Sequence, residues 1–408
     1  MAALSQRESC ARMTTHLTRT TNMGAMGTDR WPTIQWTENG RDHRARWHSE
    51  SGMPAPARVE VVSDGVTANA AYRLARSDIG LLWRGDYHNA RQLLSAMSRR
   101  IDRAAATRAT GASDFAAYRA ARAARARVLG RLMVELDADA ALQLRRAPDV
   151  RQACRDAYGE VDGPMCISFS ELSGVLSARG WHEKGVPIPA LDARIHPAYG
   201  VFSPVRGEYL DLCARAPLPA RATTAFDLGT GTGVLAALLA RRGVPRIVAT
   251  DINPRAVTCA RENITRLGYA SQVEVLEADL YPPGRADLVV CNPPWIPAQP
   301  TSALELGIYD PGSEMVYGFL DGVVTHLNPG GEAWLILSDF AEHLGLRTRA
   351  DLLARIADAG LGVTGRLDTV PTHPRTVDRA DPLHAARRRE VTSLWRLAAV
   401  PQVISQVP

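Results

Sequence analysis

Lysine is almost missing from this chain. Lys184 is the only one in 408 residues, so the net charge of +5 rests on arginine. Arginine suits phosphate, carboxylate and stacked-base contacts. A modest positive charge permits an anionic partner without requiring one, and with so much alanine and proline the arginine also reads as compositional bias. Paired cysteines are lacking too. Cys10, Cys154, Cys166, Cys213, Cys259 and Cys291 are scattered, with no Cys-x-x-Cys. Zinc and iron–sulfur sites need close pairs, so no metal site is expected, and the thiols read as reduced in a cytoplasmic protein. No apolar run approaches the roughly 18 residues of a membrane span, and the amino terminus carries no apolar core of a secretory signal. With 46% hydrophobic and 22% charged residues, a chain this long buries a core without staples. A disordered chain, a fibrous repeat and a disulfide miniprotein are all excluded.

Two or three domains fit this length. Residues 1–55 are rich in Gly, Thr, Ser, Arg and Asn without periodicity, and read as poorly ordered. Residues 56–200 read as a mostly helical accessory or substrate-recognition domain. Arg58–Val62 alternates like a strand, 67–107 and 113–136 follow helical spacing, and 185–190 reads as loop. The arginines between Arg99 and Arg131 face only Asp102 and Asp114. They form a basic helical surface, read first as a solvated face and second as a phosphate clamp. From residue 201 to about 400 short apolar runs alternate with helical stretches, the pattern of an α/β domain with a largely parallel sheet. Strands are expected at 224–228, 246–250, 272–276, 286–291, 332–338, 361–368 and 392–399. Helices are expected at 234–241, 254–267, 314–327 and 343–358, and residues 401–408 form a tail. His373-Pro374-Arg375 and Arg387-Arg388-Arg389 read as loop decoration rather than as a rim of a site.

Between the first strand and first helix of that half stands Asp227-Leu228-Gly229-Thr230-Gly231-Thr232-Gly233. Glycines let a backbone turn tightly and approach a ligand closely, and free amides at a helix N-terminus then face it. The spelling is neither the dinucleotide fingerprint nor a triphosphate loop. Asp227 beside such a pocket would repel pyrophosphate and suit an ammonium group. Asp251 ends the next strand, where a carboxylate accepts both ribose hydroxyls, and Asp279 ends the third, within reach of an adenine amino group. Successive strand ends meet in one crevice in such sheets.

The sharpest segment is Cys291-Asn292-Pro293-Pro294-Trp295, at the exit of an apolar strand. Two prolines stiffen the backbone and remove donors. Acceptors remain: the Asn292 side-chain oxygen and the Pro293 carbonyl. Trp295 adds a flat platform. The set can hold a planar –NH2 by both hydrogens and keep its nitrogen in line with an electrophile at about 3–3.5 Å. Fixed acceptors stabilise positive charge as it develops on that nitrogen.

Glycine loop and Asn-Pro-Pro-Trp together resemble the class I S-adenosylmethionine-dependent methyltransferases that modify amino groups, over about residues 198–400. The resemblance implies a Rossmann-like seven-stranded sheet with its last-placed strand antiparallel. It implies S-adenosylmethionine as cofactor, with Asp227, Gly229, Gly231 and Gly233 at its methionine part, Asp251 at ribose, Asp279 at adenine and Asn292 beside it. Asn292, Pro293, Pro294 and Trp295 match the catalytic motif. Within that branch the chain looks most like the HemK-like enzymes, which methylate a glutamine of peptide release factors. It differs in having Trp295 in place of tyrosine and in lacking Arg-Pro-Glu-Thr-Glu before the loop. Gly200-Val201-Phe202-Ser203, followed by Arg206 and Glu208, is similar instead to the small-domain ribosomal RNA guanine-N2 methyltransferases. Three readings stay open. They are N-methylation of a protein glutamine, for instance in a translation factor; N-methylation of an exocyclic base amine in structured RNA or DNA; and a non-catalytic S-adenosylmethionine-binding scaffold.

Overall fold

A computed structural model describes residues 31–106, 115–300, 304–372 and 376–400. The first half contains β1 (Thr33–Glu38), β2 (Arg41–Trp47), β3 (Arg58–Val62), α1 (Ala68–Arg76), β4 (Ile79–Trp83), α2 (Tyr87–Ala106), α3 (Phe115–Leu129) and β5 (Leu132–Leu136). It continues with α4 (Arg151–Tyr158), β6 (Met165–Ser168) and α5 (Phe169–Lys184). Six strands make one mixed sheet in the order β1-β2-β6-β5-β4-β3. The expectation of a mostly helical accessory domain is therefore corrected: this is an α/β unit. The physical reason is visible in β4, β5 and β6. Ile79–Trp83, Leu132–Leu136 and Met165–Ser168 are short apolar runs buried almost throughout. A run buried on both faces shows no alternation, and periodicity cannot separate it from a helix segment.

The hairpin β1–β2 lies inside the stretch expected to be poorly ordered; residues 1–30 of that stretch lie outside the described residues. Ile34, Trp36, Ala45 and Trp47 alternate with exposed neighbours and bury their side chains against Leu82, Met133 and Cys166. That is the period-two pattern of a half-covered strand.

A small hairpin of β7 (Val186–Ile188) and β8 (Ala193–Ile195) replaces the expected loop and leads to α6 (Glu208–Arg215). The second half then runs β9 (Thr224–Leu228), α7 (Val234–Arg241), β10 (Arg246–Asp251), α8 (Pro254–Arg266), β11 (Val273–Glu277), β12 (Ala286–Cys291), α9 (Glu314–His326) and β13 (Leu327–Ser338). It closes with α10 (Phe340–His343), α11 (Arg349–Asp358), β14 (Leu361–Thr369), α12 (His384–Arg387) and β15 (Thr392–Ala399). The sheet order is β11-β10-β9-β12-β13-β15-β14. β15 runs antiparallel to both its neighbours, and the other pairs are parallel. Seven strands with one reversed is the architecture the resemblance implies. The helix expected at 343–358 is two, α10 and α11, and Thr348 starts the second with a capping box to Asp351. The tail 401–408 lies outside the described residues. No described helix is long and apolar enough to cross a membrane.

Two polar junctions tie the halves. Arg255, in the first turn of α8, pairs with Glu50 at 2.9 Å and donates to the Ala157 carbonyl at 2.8 Å. Burial pushes the Glu50 carboxyl up, but His48 and Arg255 outweigh it and bring its pKa down to about 2. The second junction, through α3, belongs to the site.

Candidate functional site

The carboxyl ends of β9, β10 and β12 open into one cavity of about 1040 Å³. Gly229, Gly231, Asp251, Asp279, Asn292, Pro293, Pro294 and Trp295 all line it. Four separate sequence motifs thus meet in one space because a parallel sheet aligns its strand ends.

The glycine loop needs its glycines. Gly229, Gly231 and Gly233 have φ of 69°, 56° and 81°, the left-handed region that other residues avoid. A Cβ on Gly229 would also strike the Met315 methyl. Gly233 stands outside the cavity wall: it precedes the first turn of α7 and packs against Ala260. Asp227 stands outside it as well. Its Oδ2 accepts from the Thr230 hydroxyl at 2.6 Å and from the Ala236 amide at 3.0 Å. The residue is fully buried behind the loop, and burial raises its pKa to about 6. Asp227 shapes the loop from behind and presents nothing to the cavity.

Asp251 faces the opposite way. Its Oδ2 accepts the Gly231 amide at 2.9 Å and its Oδ1 the Asn253 amide at 2.9 Å. Each oxygen keeps a second lone pair, so the carboxylate can hold loop, helix start and a diol together. Burial raises its pKa, and those amides oppose the shift. Beside it Ile252 is 67% exposed and offers an apolar face to a flat ring. An adenosyl ligand fits this half of the cavity on three observations: a turn with no side chain at Gly229 and Gly231, a carboxylate with lone pairs to spare, and Asp279 in the same wall.

The other half of the cavity is built around Trp295. The indole N–H donates to Asn292 Oδ1 at 3.0 Å. That bond takes one lone pair of the oxygen assigned to a substrate amine and leaves the other. The Arg206 guanidinium lies over the indole, 5.1 Å from the ring centroid. Arg206 donates to Glu208 at 2.8 Å and to Glu390 at 3.0 Å. Burial would lower its pKa, but Glu390 and Glu208 outweigh burial and raise it. Glu390, 1% exposed, also accepts from the Ser338 hydroxyl at 2.7 Å.

The accessory domain supplies a wall. Phe115, Tyr118 and Arg122 of α3 line the cavity, and Phe115 packs with Ile296, Tyr309, Phe340 and Leu383. Arg119 fastens the helix. It reaches both Glu305 oxygens at 3.2 Å and the Gln299 carbonyl at 2.7 Å, and lies 4.1 Å from the Tyr309 ring centroid. The helix read first as a solvated basic face is thus partly a docked one. Of Arg387-Arg388-Arg389, Arg387 lines the cavity, stacked over Phe340 at 4.7 Å and paired with Asp381 at 2.8 Å. For Arg387 the loop-decoration reading is corrected; His373-Pro374-Arg375 lies outside the described residues. Sequence reasoning missed Tyr118 and Glu390 because they come from segments with no motif, and it saw Arg122 and Arg387 only as members of arginine runs. Arg206 and Glu208 were visible but had no role.

Residues 193–349 match the family described as Methyltransferase small domain. The chain is 38% identical over 126 residues to a release factor glutamine methyltransferase of Cereibacter sphaeroides, covering 28% of this chain and 45% of that protein. It is 39% identical over 75 residues to a tRNA1(Val) (adenine(37)-N6)-methyltransferase of Bacteroides thetaiotaomicron, covering 17% and 32%. Among solved structures, a ribosomal protein L11 methylase from Lactobacillus delbrueckii subsp. bulgaricus aligns with 49% of this chain and 83% of its own. That alignment has a TM-score of 0.33 and 18% identity. The chain spans about 45% of the length of the first curated relatives it matches.

Proposed function

We propose that residues 193–349, which match the Methyltransferase small domain family, form a class I S-adenosylmethionine-dependent, HemK-like methyltransferase domain, and that this chain is an N-methyltransferase acting on a protein glutamine side chain. The observation that carries the reading is the single cavity joining the glycine loop and Asp251 to Asn292–Trp295.

Bound S-adenosylmethionine supplies an electrophilic methyl group. Asp251 would hold the ribose diol, and the glycine turn, whose left-handed backbone at Gly229 and Gly231 carries no side chain, would lie along the methionine part. The Asn292 oxygen, through its remaining lone pair, and the Pro293 carbonyl accept the two hydrogens of the substrate –NH2. That draws electron density onto a nitrogen whose lone pair is otherwise delocalised. Trp295 sets the plane of the group, and α3 with Phe340 and Leu383 excludes water from the substrate end.

Charge on the wall favours a polypeptide over a phosphate backbone. Arg206 is shared by Glu208 and Glu390, and Arg387 is held by Asp381. Asp310 and Glu314 add negative charge. A channel that tracks phosphates keeps its cations uncommitted. A base amine in RNA or DNA is the second reading. It is favoured by Arg122, which faces the cavity with the neutral Tyr118 hydroxyl as its partner, and by the tRNA-modifying relative. The five described cysteines are unpaired and buried, which supports a reducing, cytoplasmic setting.

The test is transfer of tritium from labelled S-adenosylmethionine into extract of a strain lacking the gene, split into nuclease-treated and protease-treated portions. Label that survives nucleases and disappears with protease supports the glutamine reading. Label lost to RNase or DNase refutes it and puts the base amine first.

A further inference from the structure

The corner opposite the glycine loop contains more than the four motif residues. Three links run without a gap: Glu208 and Glu390 to Arg206, Arg206 to the face of Trp295, and the Trp295 N–H to Asn292 Oδ1. The first link is fixed at its far end. Glu390 is 1% exposed and anchored by Ser338, whose hydroxyl also accepts the Phe340 amide at 3.0 Å. Glu208 begins α6, and Glu390 precedes β15, so the guanidinium is fastened to two separate elements.

Each link has a physical consequence. A guanidinium lying over an indole is attracted by the ring quadrupole, and with two carboxylates holding it the ring loses freedom to swing. A fixed ring places its N–H, and the N–H selects which end of the Asn292 amide points inward. Without a donor, the oxygen and nitrogen ends of such an amide are interchangeable in shape. With the indole N–H in place the oxygen end is set, as an acceptor role demands. One cation between two carboxylates also leaves the triad with a net charge of −1.

We propose that Arg206, held by Glu208 and Glu390, is a positioning residue that fixes Trp295 and, through the indole N–H, the acceptor orientation of Asn292. This rests on the N-methyltransferase reading for its catalytic consequence, but not for its geometry. It also gives the tryptophan a role that a phenylalanine cannot take, because the N–H and the stacked face are both used.

The experiment uses full-length protein with 15N-labelled tryptophan indoles, saturated with S-adenosylhomocysteine. Loss of one indole signal in Trp295→Phe assigns Trp295. Its N–H should exchange with solvent at least about tenfold more slowly than the N–H of Trp181, which is 47% exposed. Asn292→Ala and Arg206→Ala should each shift the signal and remove that protection. Arg206→Lys, which keeps the charge and loses the planar fork, should shift it less, and serves if Arg206→Ala does not fold. In the tritium assay Arg206→Ala should cut kcat by roughly 10- to 100-fold, as misplacement of a reacting group does. The KM for S-adenosylmethionine should stay within about twofold. A purely structural loss would not split the constants that way. An unprotected Trp295 N–H, or one that ignores Asn292→Ala or Arg206→Ala, overturns the proposal. So does a normal kcat in Arg206→Ala. If the wild type transfers label to nothing, the methyltransferase reading fails, and the indole signals still decide the geometry.

Discussion

Replacing Asp251 by alanine removes one carboxylate that does two jobs, and the two losses are separable. In the folded chain the carboxylate accepts the amides of Gly231 and Asn253, at 2.9 Å each. A second lone pair on each oxygen remains for a ribose hydroxyl. A hydrogen bond to a charged group contributes about 1.5–3 kcal/mol. Losing two to the ligand, at the low end because the site is open to water, removes about 3 kcal/mol of binding. At 1.4 kcal/mol per factor of ten, that is a roughly hundredfold weaker dissociation constant. The two lost backbone bonds act on the protein without ligand and, at the same low end, should lower its unfolding free energy by about 3 kcal/mol. Asp251→Asn is informative beside it. Its –NH2 would meet one of the two backbone N–H groups donor to donor, so it should not rescue affinity. The assay is calorimetric titration with S-adenosylhomocysteine, with a circular dichroism melt on the same sample. A folded Asp251→Ala protein that binds within about threefold of wild type would refute the assignment of the ribose site.

Three further outcomes are expected. Asn292→Ala should keep S-adenosylhomocysteine affinity within about threefold and cut transfer by at least about a hundredfold; normal turnover in the tritium assay removes the acceptor mechanism. Asp227 has a folded pKa of about 6, above the roughly 3.9 of an unfolded chain, so the stability it contributes is full below about pH 4 and lost as pH rises through 6. Over that window the difference in urea-unfolding free energy should move by about 3 kcal/mol in favour of Asp227→Asn; parallel pH profiles for the two proteins would contradict the buried, raised carboxyl. Arg119→Ala should leave cofactor affinity unchanged and lower transfer, because α3 loses its hold on Glu305, Gln299 and Tyr309; equal turnover with every substrate fraction would show that the α3 wall is passive.

The second half of the chain was legible because its strands are short apolar runs punctuated by helices with clear starts. Pro254 after the capping Asn253 marks one such start. The same logic failed in the first half. Ile79–Trp83 follows an amphipathic helix after only two residues, and without alternation nothing in its composition separates it from a continued helix. Of the residues expected on the cofactor side, Gly229, Gly231, Asp251 and Asp279 share one cavity, because a parallel sheet sends the ends of its strands to one edge. Asp227 was misplaced because a sequence gives a residue's position on a strand, not the direction its carboxylate turns once Thr230 and Ala236 compete for it. The substrate side was hidden for another reason. Glu390, Arg387 and Tyr118 reach the cavity from distant segments, and no local spacing encodes that meeting.

The mixed sheet of the first half has an implication for how the chain is made. β2 completes its pairing through Arg46↔Met165 and Trp47↔Cys166, so the β1–β2 hairpin leaves the ribosome long before the strand that receives it. An isolated two-stranded hairpin is marginal in water, and a late, non-local partner slows folding. The hairpin's apolar face, Ile34, Trp36, Ala45 and Trp47, therefore waits uncovered while β3, β4 and β5 are synthesised. Glu50, just beyond it, cannot meet Arg255 until later still. Truncated nascent chains ending before Met165 should be the ones that chaperones hold and proteases cut, and release of that protection should coincide with emergence of β6.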